Sequence, residues 1–160
     1  MTTDAMPAVR QPAPAFTLLD DSGAERALED ARGSWLVLFF YPNDFTPGCT
    51  TEVCDFRDRT VDFEAAGATV WSISVKDVDS KARFKAEHGL NFPLLADPEH
   101  EVAERYGTWV EKKNYGKTYH GVQRATFLID PRGHVAHVWP KVKVDGHADE
   151  VLDTLRAAAA

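Results

Sequence analysis

The sequence predicts an α/β fold, with a central mixed β-sheet flanked by helices and entered through an N-terminal β-hairpin. Three observations predict it. Trp35 to Tyr41 (WLVLFFY) is an unbroken apolar run without polar alternation, the pattern of a strand covered on both faces. Through the middle of the chain, apolar segments of strand length alternate with amphipathic segments of helix length, which is the order of parallel pairs with helical crossovers. Two later strand-like segments meet across Asp130-Pro131-Arg132-Gly133, a turn sequence that makes the last pair antiparallel and the sheet mixed.

The elements follow in order. Residues 1–13 are rich in Pro and Ala and are expected to form a loose arm. Residues 16–19 and 25–28 flank Asp20-Asp21-Ser22-Gly23 and read as a hairpin. Gly33 and Ser34 break the chain before the apolar run, and Pro42 ends it. Thr46 as N-cap and Pro47 at the first helical position open a helix. Its apolar stripe is Cys49, Val53, Phe56, Thr60 and Phe63, and Gly67 stops it. Residues 68–75 (ATVWSISV) read as a second buried strand, 79–88 as a helix closed by Gly89, 92–96 as a short strand, and 98–106 as a helix closed by Gly107. Residues 108–120 are expected to be a polar and aromatic loop. Residues 123–130 and 134–139 form the final hairpin, and a helix from Ala148 closes the chain with its last residues frayed. With no internal repeat and no linker, residues 1–160 read as a single domain.

Composition narrows the function. A chain of 160 residues buries roughly 70% of its unfolded surface, so it needs no staple. A net charge of -7 and a pI near 5.3 argue against nucleic acid or an anionic membrane as partner. The nearest approach to a basic cluster, Lys112, Lys113 and Lys117, reads as a solvated loop. No segment approaches the ~20 apolar residues of a membrane span. The first residues lack an apolar signal core and carry Asp4, so a cytoplasmic location is expected. Two cysteines are too few for a disulfide scaffold, and in such a chain they point to redox or metal chemistry. Tetrahedral zinc needs more ligands than two cysteines five apart, and the six histidines are scattered, so neither metal nor cofactor is expected.

That leaves the segment YPNDFTPGCTTEVC, residues 41–54, which holds both cysteines. Cys49 falls at the third helical position, where unpaired N–H groups and the helix dipole favour a thiolate. The alternative is a structural cysteine on the apolar stripe. Cys54 lies about 140° further around the helix, its Cα more than roughly 8 Å from that of Cys49. A disulfide needs Cα atoms within about 7 Å, so the pair can bond only if the first turns unwind. Such a requirement suits a redox cycle better than a structural bridge; the alternative for Cys54 is a passive helix residue.

The run Pro42-Asn43-Asp44-Phe45-Thr46-Pro47-Gly48-Cys49 matches the Pro-x-x-x-Thr-x-x-Cys motif of peroxiredoxins. The longer YPNDFTPGCTTEVCDFRD resembles the bacterioferritin-comigratory-protein (Q-type) branch, in which a second cysteine follows five residues after the first. Residues 121–130 (GVQRATFLID) resemble that family's arginine-bearing strand, and the resemblance runs from about Pro14 to the last helix. It implies a thioredoxin-like fold and thiol-dependent reduction of hydrogen peroxide and organic hydroperoxides. It implies Cys49 as peroxidatic thiolate, Cys54 as resolving cysteine and Thr46 as the hydroxyl that orients peroxide. It also implies Arg124 as the guanidinium over the thiolate and Pro42 as a shield of the pocket. The implied partner is thioredoxin or a similar dithiol reductant, and the implied oligomeric state is a monomer. Asn43 stands where that branch carries lysine, and Gln123 precedes the arginine; neither touches the reacting groups.

The roles agree with the chemistry. Thiolate attack on an O–O bond builds negative charge on the departing oxygen, which fixed donors in a dry pocket stabilise. Arg124 supplies several N–H donors and stays charged. Glu52, one turn from Cys49, either holds Arg124 or is a first-turn acid favoured by the dipole. Phe45, Trp139 and Trp109 are expected to give the site an apolar surround. Two other classes compete: a redox-switched binding or peroxide-sensing protein that uses the same disulfide, and a thiol–disulfide oxidoreductase, which the lack of Cys-x-x-Cys disfavours.

Overall fold

A computed structural model describes residues 6–159; residues 1–5, which begin the expected arm, and Ala160 lie outside the described residues. The main sheet contains β1 (Thr17–Asp20), β2 (Glu25–Ala27), β3 (Trp35–Phe40), β4 (Ala68–Ser74), β5 (Leu94–Ala96), β8 (Ala125–Ile129) and β9 (Val135–Trp139). A separate ribbon pairs β6 (Trp109–Asn114) with β7 (Lys117–Val122). The helices are α1 (Pro47–Asp58), α2 (Thr60–Ala65), α3 (Val78–His88), α4 (Glu101–Arg105) and α5 (His147–Ala159), with a 3₁₀ turn at Leu28–Ala31.

The sheet runs β2-β1-β5-β4-β3-β8-β9, with β3, β4 and β5 parallel and the outer strands antiparallel to their neighbours. This is the mixed sheet expected from the sequence, with β3 near its middle. The apolar run follows directly. Val37, Phe39 and Tyr41 enter one core with residues of α1, α2, α3 and α5, while Leu36, Leu38 and Phe40 enter a second core with α4 and the N-terminal hairpin region. Successive side chains point to opposite faces, and because both faces are covered every position is apolar. Phe39 stacks on Phe56 of α1 at 4.4 Å between ring centroids, which seats the helix on the sheet.

Five expectations need correction. The arm is not loose over its described part: Arg10 N donates to Val135 O, Ala13 N donates to Gly133 O, and Ala13 is buried. Those bonds cover the open edge of β9. The helix opened by Pro47 does not run unbroken to Gly67; it breaks at Arg59, whose φ and ψ are -113° and 7°. The Thr60 hydroxyl lies 3.1 Å from the Phe56 carbonyl and 2.8 Å from Asn91 Oδ1, the kind of back-bonding that bends helices. The helix expected from residue 98 begins at Glu101, because Asp97 reaches forward to accept from the N–H groups of Val102 and Ala103.

The fourth correction is the largest. Residues 108–120 are not a loop but most of the β6–β7 ribbon, closed through Tyr115 and Gly116 with φ of 51° and 77°. Two successive positive φ values make the tight turn that matches strand twist. The ribbon is a sheet of its own and buries little, so its strands lack the apolar alternation that reveals a strand. Finally, α5 is helical through Ala159 rather than frayed.

Candidate active site

The register of β3 against β8 builds the site. Phe40 pairs with Ala125, so Arg124 lies beside the carboxyl end of β3, where the chain turns into α1. Open α/β sheets bind ligands at this end of their strands. Tyr41 N donates to Ile73 O and Val142 N donates to Arg124 O, which fixes both segments.

Cys49 is the third residue of α1 and only 2% exposed. Arg124 Nη2 donates to its Sγ at 3.3 Å, and Nη1 donates to Glu52 Oε1 at 2.6 Å. Thus Glu52, ambiguous in the sequence, orients the guanidinium; one helical turn separates the two residues that Arg124 bridges. Burial pushes the Glu52 carboxyl up to about 7, against the opposing pull of Arg124, and its Oε2 has no partner. Burial also works against the charge of Arg124, but Glu52 and Cys49 outweigh it.

Thr46 occupies the N-cap position without capping. Its hydroxyl donates to Asn43 O at 3.0 Å, and its own carbonyl accepts the first helical bond, from Thr50 N at 2.8 Å. The N–H groups of Gly48 and Cys49 therefore precede that first bond and have no partner within the helix. Arg124 thus contacts the Cys49 sulfur from a guanidinium held by Glu52, while the Thr46 hydroxyl and these amides lie in the same loop and first turn, with Thr46 tied to Asn43 O. Pro42 is half-buried at the start of the same loop.

Cys54 shares α1 with Cys49, both are free thiols, and burial pushes the Cys54 thiol up. A wound helix thus keeps Cys54 both distant and largely protonated. Of the expected aromatic surround, Trp139 shares the core cluster of Cys49 and Phe45 packs on Phe84. Trp109 does not belong there: it stacks on His100 against the opposite core. Lys112 is not simply solvated; its ammonium donates to Val122 O at 2.7 Å. Among the described residues, no group of three or more His, Cys, Asp or Glu side chains could hold a metal ion, and no helix is long and apolar enough to cross a membrane.

One feature of the site escaped sequence reasoning. Asp44 and Lys81 form an ion pair at 2.9 Å with both side chains wholly buried. Tyr41 and Lys81 lie within electrostatic reach of Cys49. The available signal was Lys81 three residues before Phe84, on the buried face of an otherwise ordinary amphipathic helix.

Comparison with known proteins decides the family. Residues 9–138 match the model of the AhpC/TSA family. The chain belongs to that family. Within it, the chain falls in the Bcp, or peroxiredoxin Q, branch. It is 48% identical to the putative peroxiredoxin bcp of Coxiella burnetii, with 92% of this chain and 97% of that protein covered. Against the peroxiredoxin Bcp of Bacillus subtilis the identity is 45%, covering 92% and 94%. A solved structure of the Xanthomonas campestris bacterioferritin comigratory protein, from work on its alkyl peroxide reduction, superposes with a TM-score of 0.89 at 40% identity, covering 98% of this chain and all of that one. The fold is therefore thioredoxin-like, and the chain is a peroxiredoxin, a thiol-dependent peroxidase.

Proposed function

We propose that Cys49 is the peroxidatic thiolate and that it reduces hydrogen peroxide and organic hydroperoxides, with Thr46, Arg124 and Pro42 shaping the reaction. The contact of Arg124 Nη2 with Cys49 Sγ, clamped from behind by Glu52, carries the reading. The thiolate attacks one peroxide oxygen; the S–O bond forms, the O–O bond breaks, and the departing oxygen leaves as water or alcohol after taking a proton. Arg124 stabilises the charge built on that oxygen, and Thr46 orients the peroxide while Pro42 keeps out water. Cys49 is left as sulfenic acid.

The first turns of α1 then unwind, Cys54 attacks the Cys49 sulfur, water leaves, and an intramolecular disulfide forms. Two thiols of thioredoxin or a similar dithiol protein reduce it by exchange and become a disulfide themselves. The raised Cys54 thiol supports a resolving step that waits for unwinding. Organic hydroperoxides are included on the strength of the Xanthomonas relative. The acidic chain acts as a single-domain, cytoplasmic monomer, without nucleic acid or membrane as partner.

The test is intact mass and peptide mapping after one equivalent of hydrogen peroxide. A loss of two protons with a linked Cys49–Cys54 peptide is expected. A stable gain of one oxygen on Cys49 with Cys54 free overturns the resolving role. Steady-state consumption with a thioredoxin system is also expected; its absence alongside a formed disulfide favours a redox-switched binding or sensing protein.

A further inference from the structure

Asp44 lies two residues before Thr46, in the loop that joins β3 to α1, and its carboxylate is saturated. Oδ1 accepts from the Tyr41 hydroxyl at 2.6 Å, from Lys81 Nζ at 2.9 Å and, at 3.4 Å, from the Ser74 hydroxyl; Oδ2 accepts from the Ser80 hydroxyl at 2.6 Å. Lys81 is equally saturated, donating also to the Tyr41 hydroxyl at 2.8 Å and to the Ser74 hydroxyl. Tyr41 directly follows β3, Ser74 ends β4, and Ser80 and Lys81 lie in the first turn of α3, whose start is itself capped by Asp77 accepting from Ser80 N. Three elements of the scaffold therefore converge on one loop carboxylate.

Stability does not explain this cluster. A buried ion pair pays heavily for desolvation, and apolar residues of similar volume commonly do as well. Burial pulls the Lys81 ammonium down to about 8 even with Asp44 opposing, a sign of that cost. What apolar residues cannot supply is direction. Phe45, between Asp44 and Thr46, has φ of 65°, a conformation that a bulky side chain holds only where its surroundings over-determine it. Asn43, on the other side of Asp44, presents the carbonyl that accepts the Thr46 hydroxyl. Anchoring Asp44 thus sets both the acceptor and the backbone that aim Thr46.

We propose that the Asp44–Lys81–Tyr41 cluster is a positioning device for the peroxide reaction, anchoring the loop so that the Thr46 hydroxyl and the start of α1 face the Cys49 sulfur in reactive geometry. The proposal rests on the assignment of Thr46 and Cys49 as reacting groups. The cluster touches no substrate and acts through Thr46. It sits ahead of the turns that must unwind, so it stays in place through the cycle.

The test is a double-mutant cycle on the rate of Cys49 oxidation by hydrogen peroxide, read by stopped-flow tryptophan fluorescence over a range of pH. The variants are Asp44→Asn and the milder Tyr41→Phe, which removes one hydroxyl and guards against a failure to fold, each alone and with Thr46→Val. Alone, each is expected to slow oxidation, Asp44→Asn by roughly tenfold to a hundredfold. The midpoint of the pH profile should stay in place, and in the Thr46→Val background each should change the rate by less than about twofold. Wild-type rates in Tyr41→Phe and in whatever Asp44→Asn folds overturn the proposal, while a slow Thr46→Val keeps the assignment of Thr46. Full-sized slowing on top of Thr46→Val, or a moved pH midpoint with an unchanged plateau, also overturns it, because the cluster then acts on something other than the aim of Thr46. A Thr46→Val variant of wild-type speed overturns the assignment itself, and the proposal with it.

Discussion

Arg124 and Glu52 lie 72 positions apart in the chain and meet at 2.6 Å beneath Cys49, with Glu52 only 1% exposed. The bond leaves the other guanidinium nitrogen facing sulfur at 3.3 Å, so the donor is already aimed as its proposed role toward peroxide requires. Removing such a preorganised donor costs about 10²–10³ in rate. Arg124→Lys cannot serve both partners at once, and it should slow Cys49 oxidation by that amount in single-turnover stopped flow. Glu52→Gln keeps an acceptor without the charge and should lose roughly tenfold.

Glu52 also sets a stability profile. Its carboxyl is raised to about 7 from an ordinary 4.5, so the folded state binds the proton more tightly than the unfolded chain. The stability this contributes is full below 4.5, fades as pH rises through about 7, and is absent above. Glu52→Gln does not titrate. The difference in Tm between wild type and this variant should therefore change by about 10 °C between those limits and stay flat outside them.

His147 should give the opposite slope. Burial lowers it to about 4 from 6.5, outweighing the opposing pull of Glu150, with a smaller repulsion from Arg124 adding to the drop. Its stability contribution is complete above 6.5 and is lost as pH falls through about 4. Its ring pairs with the Thr126 hydroxyl at 2.8 Å and packs on Trp139. Acid titration followed by tryptophan fluorescence should show a transition in this window, and His147→Gln should shift that transition to lower pH.

In the proposed cycle, resolution by Cys54 depends on how readily α1 unwinds. Thr51 is exposed on α1 between the two cysteines, its hydroxyl donating to Pro47 O. Glycine costs a helix interior about 1 kcal/mol relative to alanine. Disulfide formation after a single oxidation should therefore be about fivefold faster in Thr51→Gly than in Thr51→Ala, and Thr51→Gly should accumulate less Cys49 sulfinic acid under excess peroxide. Equal rates in the two variants would falsify unwinding as the gate.

The helix itself is seated by Phe56 against Phe39. Phe56→Ala removes a wholly buried ring and should cost about 3–5 kcal/mol in denaturant unfolding. Ile or Leu at this position should recover most of it.

The chain order alone determined much of this protein. The apolar run at 35–41 implies a doubly covered strand whatever its neighbours are, because a strand wetted on one face would alternate. Thr46-Pro47 starts a helix through the fixed φ of proline, and the spacing from Cys49 to Cys54 forbids a disulfide in a wound helix; both are local geometry. Signals that depend on burial were faint wherever little is buried. The β6–β7 ribbon carries Glu111, Lys113 and Lys117 along an exposed pair of strands and so read as a loop. The break at Arg59 depends on Asn91, 31 residues after Thr60.

Only the tertiary structure decided which charges meet. Sequence names Arg124, Glu52, Asp44 and Lys81 but not their partners, since nothing local separates a buried ion pair from a solvated side chain. Arg124 reaches Cys49 because β8 runs antiparallel to β3 with Ala125 opposite Phe40. Lys81 reaches Asp44 because α3 begins beside the same strand ends. A register is a property of two strands at once, and a buried charge is tolerated only where another part of the chain supplies its counterpart.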